Sequence, residues 1–327
     1  MVGAQYQDTS LTQGLTWGLA GYGDLAQRRL VEALSRPPNR LAAVWGRDSK
    51  RAQVFAERFG VPHAAGSLEA LVQDVDAVYV AVPPVAHVPV ALAAVEAGRH
   101  VLIEKPLSPT FDGYETLAAL VAEKGGKAAI AYYRRFAPAV RRLRQILIAA
   151  ELGSIISVDL LCSRSFNPVP GDKAWRLDPA IAGGGVAADI GCHRLDLLCW
   201  LFGVGRLVDA RIQCFSAGTT ERIADMTIAF PSGLTARCRF SWNEILADRL
   251  VIHGEYGTVT LNPLDKGRLV IETPHEKKIF NDPPSANLHI DLVAAFGRWV
   301  HGEEEPICTL FEARRVDELL EAAYGEL

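Results

Sequence analysis

Three short stretches of this chain hold side chains whose types and spacing could do chemistry. The first is Gly21-Tyr22-Gly23-Asp24-Leu25-Ala26, which follows an apolar run and opens an amphipathic one. Gly21 permits a tight turn, Gly23 lets backbone approach a pyrophosphate, and a helix N-terminus starting near Asp24 and Leu25 offers unpaired N–H groups to it. Ala26 stands where a third glycine is usual and still allows close helix–sheet packing. The second is Val101-Leu102-Ile103-Glu104-Lys105-Pro106. Ligands of doubly wound sheets sit beyond the carboxyl ends of the strands, so Lys105 is expected to project into that crevice. A lysine held there beside a positive nicotinamide and partly desolvated has its pKa lowered, which suits proton exchange with a hydroxyl or carbonyl. The plain alternative is a surface lysine paired to Glu104. The third is the run Gly183-Gly184-Gly185-Val186-Ala187-Ala188-Asp189-Ile190-Gly191-Cys192-His193-Arg194-Leu195-Asp196. On a helix Asp189 and His193 stand at i and i+4, with Asp196 three further on, so carboxylate and imidazole share a face. A histidine flanked by carboxylates titrates near neutrality and can take a carbinol proton as hydride leaves. Two such residues could also ligate a metal, but no third ligand follows at a recognisable spacing and hydride transfer needs none, so no metal is expected.

The elements that must position these residues read as two domains. From Thr16, short apolar runs alternate with longer amphipathic ones: Leu15 to Ala20, then Asp24 to Leu34; Leu41 to Trp45, then Asp48 to Phe59; Ala77 to Val82, then Ala86 to Ala97; Val101 to Ile103, then Thr110 to Lys124; and Ala128 to Tyr132. Repeated β-α predicts a parallel doubly wound sheet, the α/β Rossmann architecture, with Asp48, Ser67 and Thr110 as helix N-caps and Gly60 and Gly98 after helix ends. A basic amphipathic helix, Pro138 to Ala149, follows. Beyond it come strands at Ile155 to Cys162, Leu207 to Cys214, Ile223 to Phe230, Leu234 to Phe240, Arg249 to His253, Thr258 to Leu261 and Leu269 to Glu272. Strands without intervening helices predict an α+β domain built on a large, open, mostly antiparallel sheet. The division expected is a tail over 1–14, a dinucleotide domain over 15–131 and a substrate domain over 132–327, whose closing helices, Leu288 to Val300 and Leu310 to Tyr324, can pack back on the first.

At the second strand's end, where a carboxylate usually grips the ribose 2′-hydroxyl, stand Gly46 and Arg47. Glycine followed by arginine leaves room and positive charge for a 2′-phosphate, favouring NADP over NAD. Alternatively Arg47 is a solvated surface residue and Asp48 only an N-cap. Tyr132 and Arg135 follow the last strand of the first domain near the crevice and, with Trp175 and Arg176 before the glycine run, are candidates to touch substrate or to serve packing. Loops around Phe166 to Trp175 and Phe215 to Ile223 would set specificity.

Composition narrows the partners. The chain has 327 residues, 49% apolar and 22% charged, with a formal net charge of −4, which fits globular domains and offers no phosphate-tracking basic stripe for nucleic acid. Six cysteines without a C-x-x-C pair read as reduced core residues rather than a zinc or redox site. The first fifteen residues lack a signal peptide's basic start and apolar centre, and the apolar stretch Val75 to Val95 contains Asp76, Pro83, Pro84, His87 and Pro89. A cytoplasmic protein without a membrane span is therefore expected.

Taken together, the glycine-rich turn, E-K-P and G-G-G-x-x-x-D-I-G-x-H-x-x-D, in that order, resemble the Gfo/Idh/MocA oxidoreductase family, which includes glucose-fructose oxidoreductase and inositol dehydrogenases. Val75 to His87, Glu96-Ala-Gly-Arg-His-Val, Arg135-Phe136-Ala137-Pro138 and the closing helix pair look similar too, so the likeness runs from about residue 15 to the end. It implies that Lys105 and His193 are the catalytic lysine and histidine, and that Asp189 binds substrate or assists the histidine. It also implies that Val82, Pro83 and His87 border the nicotinamide, that Glu104 and Pro106 set the lysine, and that the substrate is a sugar, polyol or related small molecule. Homodimers or homotetramers through the open sheet are implied as well. Departures are Ala26, Pro84 in place of an asparagine common in that loop, and Trp45-Gly46-Arg47 in place of an acidic ribose-binding version. Two rival readings remain at this stage: a non-catalytic dinucleotide-sensing regulator, and an NAD-dependent glycosidase that restores its cofactor within each turnover.

Overall fold

The computed structural model describes residues 13–167, 174–245, 248–304 and 307–325. In the first part β1 (Thr16–Ala20), β2 (Arg40–Trp45), β3 (His63–Ala64), β4 (Ala77–Val80), β5 (His100–Ile103) and β6 (Ala128–Ile130) line up as β3-β2-β1-β4-β5-β6. Every neighbouring pair is parallel. These strands are apolar on both faces because both are covered: Trp17, Leu19, Val78, Val80, Val101 and Ile103 are all buried, the pattern a parallel sheet demands. The covering helices are α1 (Val31–Ser35), which continues a π-helical turn at Ala26–Leu30, α2 (Ser49–Phe59), α3 (Leu68–Leu71), α4 (His87–Glu96) and α5 (Tyr114–Lys124). Strand order reverses between β1 and β4, and the crevice above that switch point is where such a sheet binds ligands.

Asp48 and Ser67 cap α2 and α3 as expected, and Gly60 ends α2 in the left-handed region. Thr110 does not cap α5, which starts four residues later behind Gly113. Ser108 Oγ donates to Asp112 Oδ1 at 2.7 Å and accepts from the Thr110 and Asp112 N–H groups, so the segment closes into a side-chain-stapled turn that competes with helix. Strand β3 is too short for a periodicity signal.

The second part begins with α6 (Pro138–Ile148) and β7 (Ile155–Arg164), passes α7 (Pro179–Ala182), a π-helical turn at Ala187–Gly191 and α8 (Cys192–Phe202), then β8 (Arg206–Cys214), β9 (Glu221–Ala229), β10 (Thr235–Trp242), β11 (Arg249–Gly254), β12 (Thr258–Leu261), β13 (Arg268–Glu272) and β14 (Lys277–Asn281). These strands form an eight-stranded sheet, β14-β13-β12-β11-β7-β10-β9-β8, antiparallel except where β10 meets β7. Strand β14 carries no apolar alternation, as suits a charged edge. The inner face packs against α8, while the outer face carries Asp159, Asp225, Arg237, Arg239 and His253.

Two last helices return to the first sheet. In α9 (Leu288–Val300), Phe296 packs on Trp17 with ring centroids 5.6 Å apart. The start of α10 (Leu310–Tyr324) is tied to β6 by an antiparallel bridge between Ala129 and Thr309. Its buried Asp317 accepts from Tyr114 Oη at 2.7 Å. Burial pushes the Asp317 carboxyl up from 3.8 to about 7, against the pull of Tyr114 and the Leu107 N–H. The folded state therefore binds a proton there that the unfolded chain has released, so this group's contribution to stability is present below the unfolded value and fades as pH rises through about 7. Unfolding free energy of Asp317→Asn, compared with wild type by urea titration, is expected to lack up to about 1.4 kcal/mol per pH unit of that decline between the two values. Parallel curves for the two proteins would contradict this.

Candidate active site

At the switch point Gly21 adopts φ 112°, and a Cβ there would lie 2.4 Å from the Ala81 carbonyl oxygen. A Cβ at Gly23 would meet nothing within 4 Å. The turn is thus jammed against the sheet on one side and open on the other, the shape a pyrophosphate cradle needs, with helical backbone running on from Asp24 and Leu25. Residues present here fit a dinucleotide. Tyr22 lies across Gly46, where an added Cβ would come within 2.3 Å of the ring. Its hydroxyl donates to the Asp48 carbonyl and accepts from the Asp48 N–H, both at 3.1 Å. Arg51 sits over the same ring, 5.3 Å from its centroid, and a cleft of about 260 Å³ beside it is lined by Tyr22, Lys50, Arg51 and Arg58. Arg47 is exposed. Lys50 and Arg51 were not singled out from the sequence, although both fall in the first turn behind the Asp48 cap.

Beyond β5, Glu104 is buried and accepts from Tyr79 Oη at 2.7 Å, with His289 Nε2 3.7 Å away. Burial would raise its carboxyl, but His289, Tyr79 and Lys105 outweigh that and hold it below the ordinary value. His87 is buried, and its ring nitrogens lie 2.7 Å from the carbonyl oxygens of Pro106 and Val82. It fastens the Val82-Pro83 loop to the Lys105-Pro106 turn, and burial lowers its pKa. Lys105 crosses to the second domain. Its Nζ donates to the Asp189 carbonyl oxygen and lies 3.8 Å from Asp189 Oδ1. Burial opposes the charge, but Cys192, Asp189 and Glu104 offset it, and the pKa is raised above the usual lysine value. That reverses the depression expected from desolvation alone.

His193 is buried between Tyr132, edge-on at 5.8 Å between centroids, and Tyr133 at 4.8 Å, and its Nδ1 has no hydrogen-bond partner among the described residues. Tyr133 also stacks on His289 at 4.4 Å. Burial, followed by Lys105, Arg134, Arg194 and His289, drives the His193 pKa well below the usual value, so the ring is neutral near pH 7. The expectation of a carboxylate-flanked imidazole is corrected: its charged neighbours are cations. Asp189 turns away from it, with Oδ2 3.3 Å from Arg176 Nη1 and Oδ1 toward Lys105. The reason is local. Cys192 N–H bonds to the Ala187 carbonyl, five residues back, so this segment is a π turn whose side-chain directions differ from those of the regular α-helix on which the shared face was based.

The remaining candidates divide. Arg176, over the Trp175 ring at 5.6 Å, joins the Asp189 cluster, and Tyr132 forms part of the wall behind His193. Arg135 serves structure instead: it grips Asp196 with Nε and Nη2, at 3.0 and 2.6 Å, and Glu312 with Nη1 at 3.0 Å. Of the loop expected to set specificity, 168–173 lie outside the described residues. Tyr133 and His289 were missed because nothing local marks them; they reach His193 from β6's end and from α9.

A parallel nucleotide-binding sheet that receives acid–base side chains from a second domain is the architecture of a dinucleotide-dependent oxidoreductase. The chain belongs to the Gfo/Idh/MocA family: the model described as an oxidoreductase family with an NAD-binding Rossmann fold matches residues 15–132, and the GFO/IDH/MocA C-terminal domain matches residues 140–260. It is similar to the dTDP-3,4-didehydro-2,6-dideoxy-alpha-D-glucose 3-reductase of Streptomyces antibioticus, 35% identical over 86% of this chain and 88% of the relative. The D-xylose 1-dehydrogenase (NADP(+)) 2 of Haloferax volcanii is 28% identical over 95% and 96%. Among solved structures, the 3-ketoreductase KijD10 of Actinomadura kijaniata, in complex with NADP and TDP-benzene, superposes with a TM-score of 0.85 at 25% identity, covering 95% of this chain and 97% of that one.

Proposed function

We propose that this chain transfers hydride between nicotinamide C4 and a hydroxyl or carbonyl carbon of a sugar, polyol or related small molecule, with NADP(H) preferred to NAD(H). The observation that carries this reading is the bond from the Lys105 ammonium to the Asp189 carbonyl, which places a first-domain cation against the helix that bears His193. When bound, the dinucleotide supplies or accepts the hydride. In the reducing direction Lys105, charged and close to the crevice, is the group able to give a proton to the substrate oxygen. His193, neutral, is the imidazole that orients that oxygen, and Asp189 with Arg176 holds Lys105 in place. The cofactor preference rests on Gly46, which leaves no carboxylate for a 2′-hydroxyl, and on the positive charge of Arg47, Lys50 and Arg51 around Tyr22. The relatives' names support a carbohydrate substrate and NADP.

A second copy of the chain is the proposed partner, docked on the outer face of the large sheet, where Arg237 and Arg239 pair with Asp159 and Asp225 and a self-complementary contact between copies can form. No helix of the described residues is long and apolar enough to cross a membrane, and the unpaired cysteines support a cytoplasmic setting. Calorimetry is expected to show NADPH binding at least about tenfold tighter than NADH, a difference of roughly 1.4 kcal/mol. A panel of sugars and polyols that includes D-xylose should then yield one that changes nicotinamide absorbance. Equal affinities would overturn the preference, and a silent panel with tight cofactor binding would favour a sensor.

A further inference from the structure

Glu221 opens β9, far in sequence from the glycine run, and is 2% exposed. Its carboxylate accepts from the Gly185 N–H at 2.6 Å (Oε2), from the Ala187 N–H at 2.8 Å and from Tyr324 Oη at 2.9 Å (both Oε1). Burial raises its pKa against the pull of these donors. The glycines leave room for this arrangement and for nothing larger. A Cβ at Gly185 would sit 2.0 Å from the Glu221 carbonyl oxygen, one at Gly184 would sit 2.3 Å from Tyr324 Oη, and one at Gly183 would sit 2.7 Å from Pro109 Cα. A buried acceptor pair thus holds two N–H groups at the start of the helical segment that carries Asp189 and His193. Backbone N–H groups of a first turn have no partner within their own helix, and a carboxylate there also meets the positive end of the helix dipole.

We propose that Glu221 is a positioning residue for the reaction: it fixes the start of the glycine-run helix, and through it the Asp189 carbonyl that holds Lys105 and the imidazole of His193. The structure also explains how the closing helix takes part. Tyr324 of α10 shares the Glu221 carboxylate, while Asp317, on the same helix, holds Tyr114 of the first domain. Glu221 touches no reacting atom; it sets the register in which Lys105 and His193 meet. Loss of a few tenths of an ångström there falls on the chemical step rather than on dinucleotide binding, because the cradle at Gly21–Gly23 belongs to the other sheet.

The proposal rests on the oxidoreductase reading, and Glu221→Gln separates the two. The amide keeps the shape but loses the charge, and its NH2 group turns a donor toward one of the two N–H groups. With the sugar and cofactor found by the screen above, E221Q is expected to lower kcat by about tenfold or more while leaving the calorimetric Kd for NADPH within about twofold. Hydrogen–deuterium exchange, which needs no substrate, is expected to show faster exchange over 183–193 while β1, β4 and β5 keep wild-type protection. Unchanged protection over 183–193 overturns the proposal whatever the substrate, as does an unchanged kcat. Exchange that rises across both sheets together also overturns it, since Glu221 is then a general stability residue. A Lys105 variant that is silent while E221Q is fully active leaves the oxidoreductase reading standing and removes only this inference.

Discussion

Replacing Lys105 with alanine is expected to lower kcat by about a hundredfold or more, with the Kd for NADPH changed by no more than about threefold. The ammonium, carried by the residue two beyond the end of β5, bonds to the Asp189 carbonyl on the other domain. Its neighbours raise its pKa, whereas those of His193 lower that of the imidazole. Of the two candidate proton donors, only Lys105 is charged at neutral pH. Its removal takes away the donor and one of the ties between the domains, while the pyrophosphate cradle stays intact. Steady-state kinetics beside a binding titration checks both halves. Turnover within a few-fold of wild type would move the acid–base role elsewhere.

Arg135→Ala is expected to be the most destabilising single truncation around the site, lowering unfolding free energy by about 3–5 kcal/mol. Asp196 is 0% exposed, and its carboxylate takes Nε and Nη2 of Arg135. Burial outweighs the pull of Arg135 and raises the Asp196 carboxyl, while Asp196 outweighs burial at Arg135 and holds its guanidinium well above the ordinary value. Alanine leaves that carboxylate without its cation and also strands Glu312, whose Oε1 accepts from Nη1. Apolar replacement of both partners, as in R135M/D196L, is expected to recover most of the loss, because the penalty lies in the uncompensated charge. Urea unfolding of the single and double variants tests this. A loss below about 1 kcal/mol for R135A would place the pair among near-neutral contacts.

How legible the molecule was depended on how local the determinants are. Alternating apolar and amphipathic runs foretold the parallel sheet, and α9 and α10 occur at the bounds that their periodicity marks, because burial on one helical face is written at every third or fourth residue. Thr110 failed as a cap because Ser108 and Asp112 form a competing turn. The pairing of Asp189 with His193 failed because Ala187–Gly191 is a π turn rather than the regular α-helix that the spacing assumes, with the carboxylate against Lys105 and Arg176, and no spacing rule shows a π turn in advance. The charge state of His193 was illegible for a different reason. Its cations include Lys105, Arg134 and Arg194, the first two remote in sequence. Likewise the three glycines were read as a mark of the site, yet their cause lies at Pro109, Tyr324 and Glu221, which only the fold brings together.

A crystal structure of the chain with NADPH addresses the central claim most directly. The pyrophosphate should lie on the Gly21–Gly23 turn, the 2′-phosphate should be met by cations beside Tyr22, and the nicotinamide should face Lys105 Nζ and the His193 imidazole from one side. A dinucleotide seated with its nicotinamide turned to solvent, or with Lys105 and His193 on opposite sides of it, would contradict the assignment of both residues to one reacting centre.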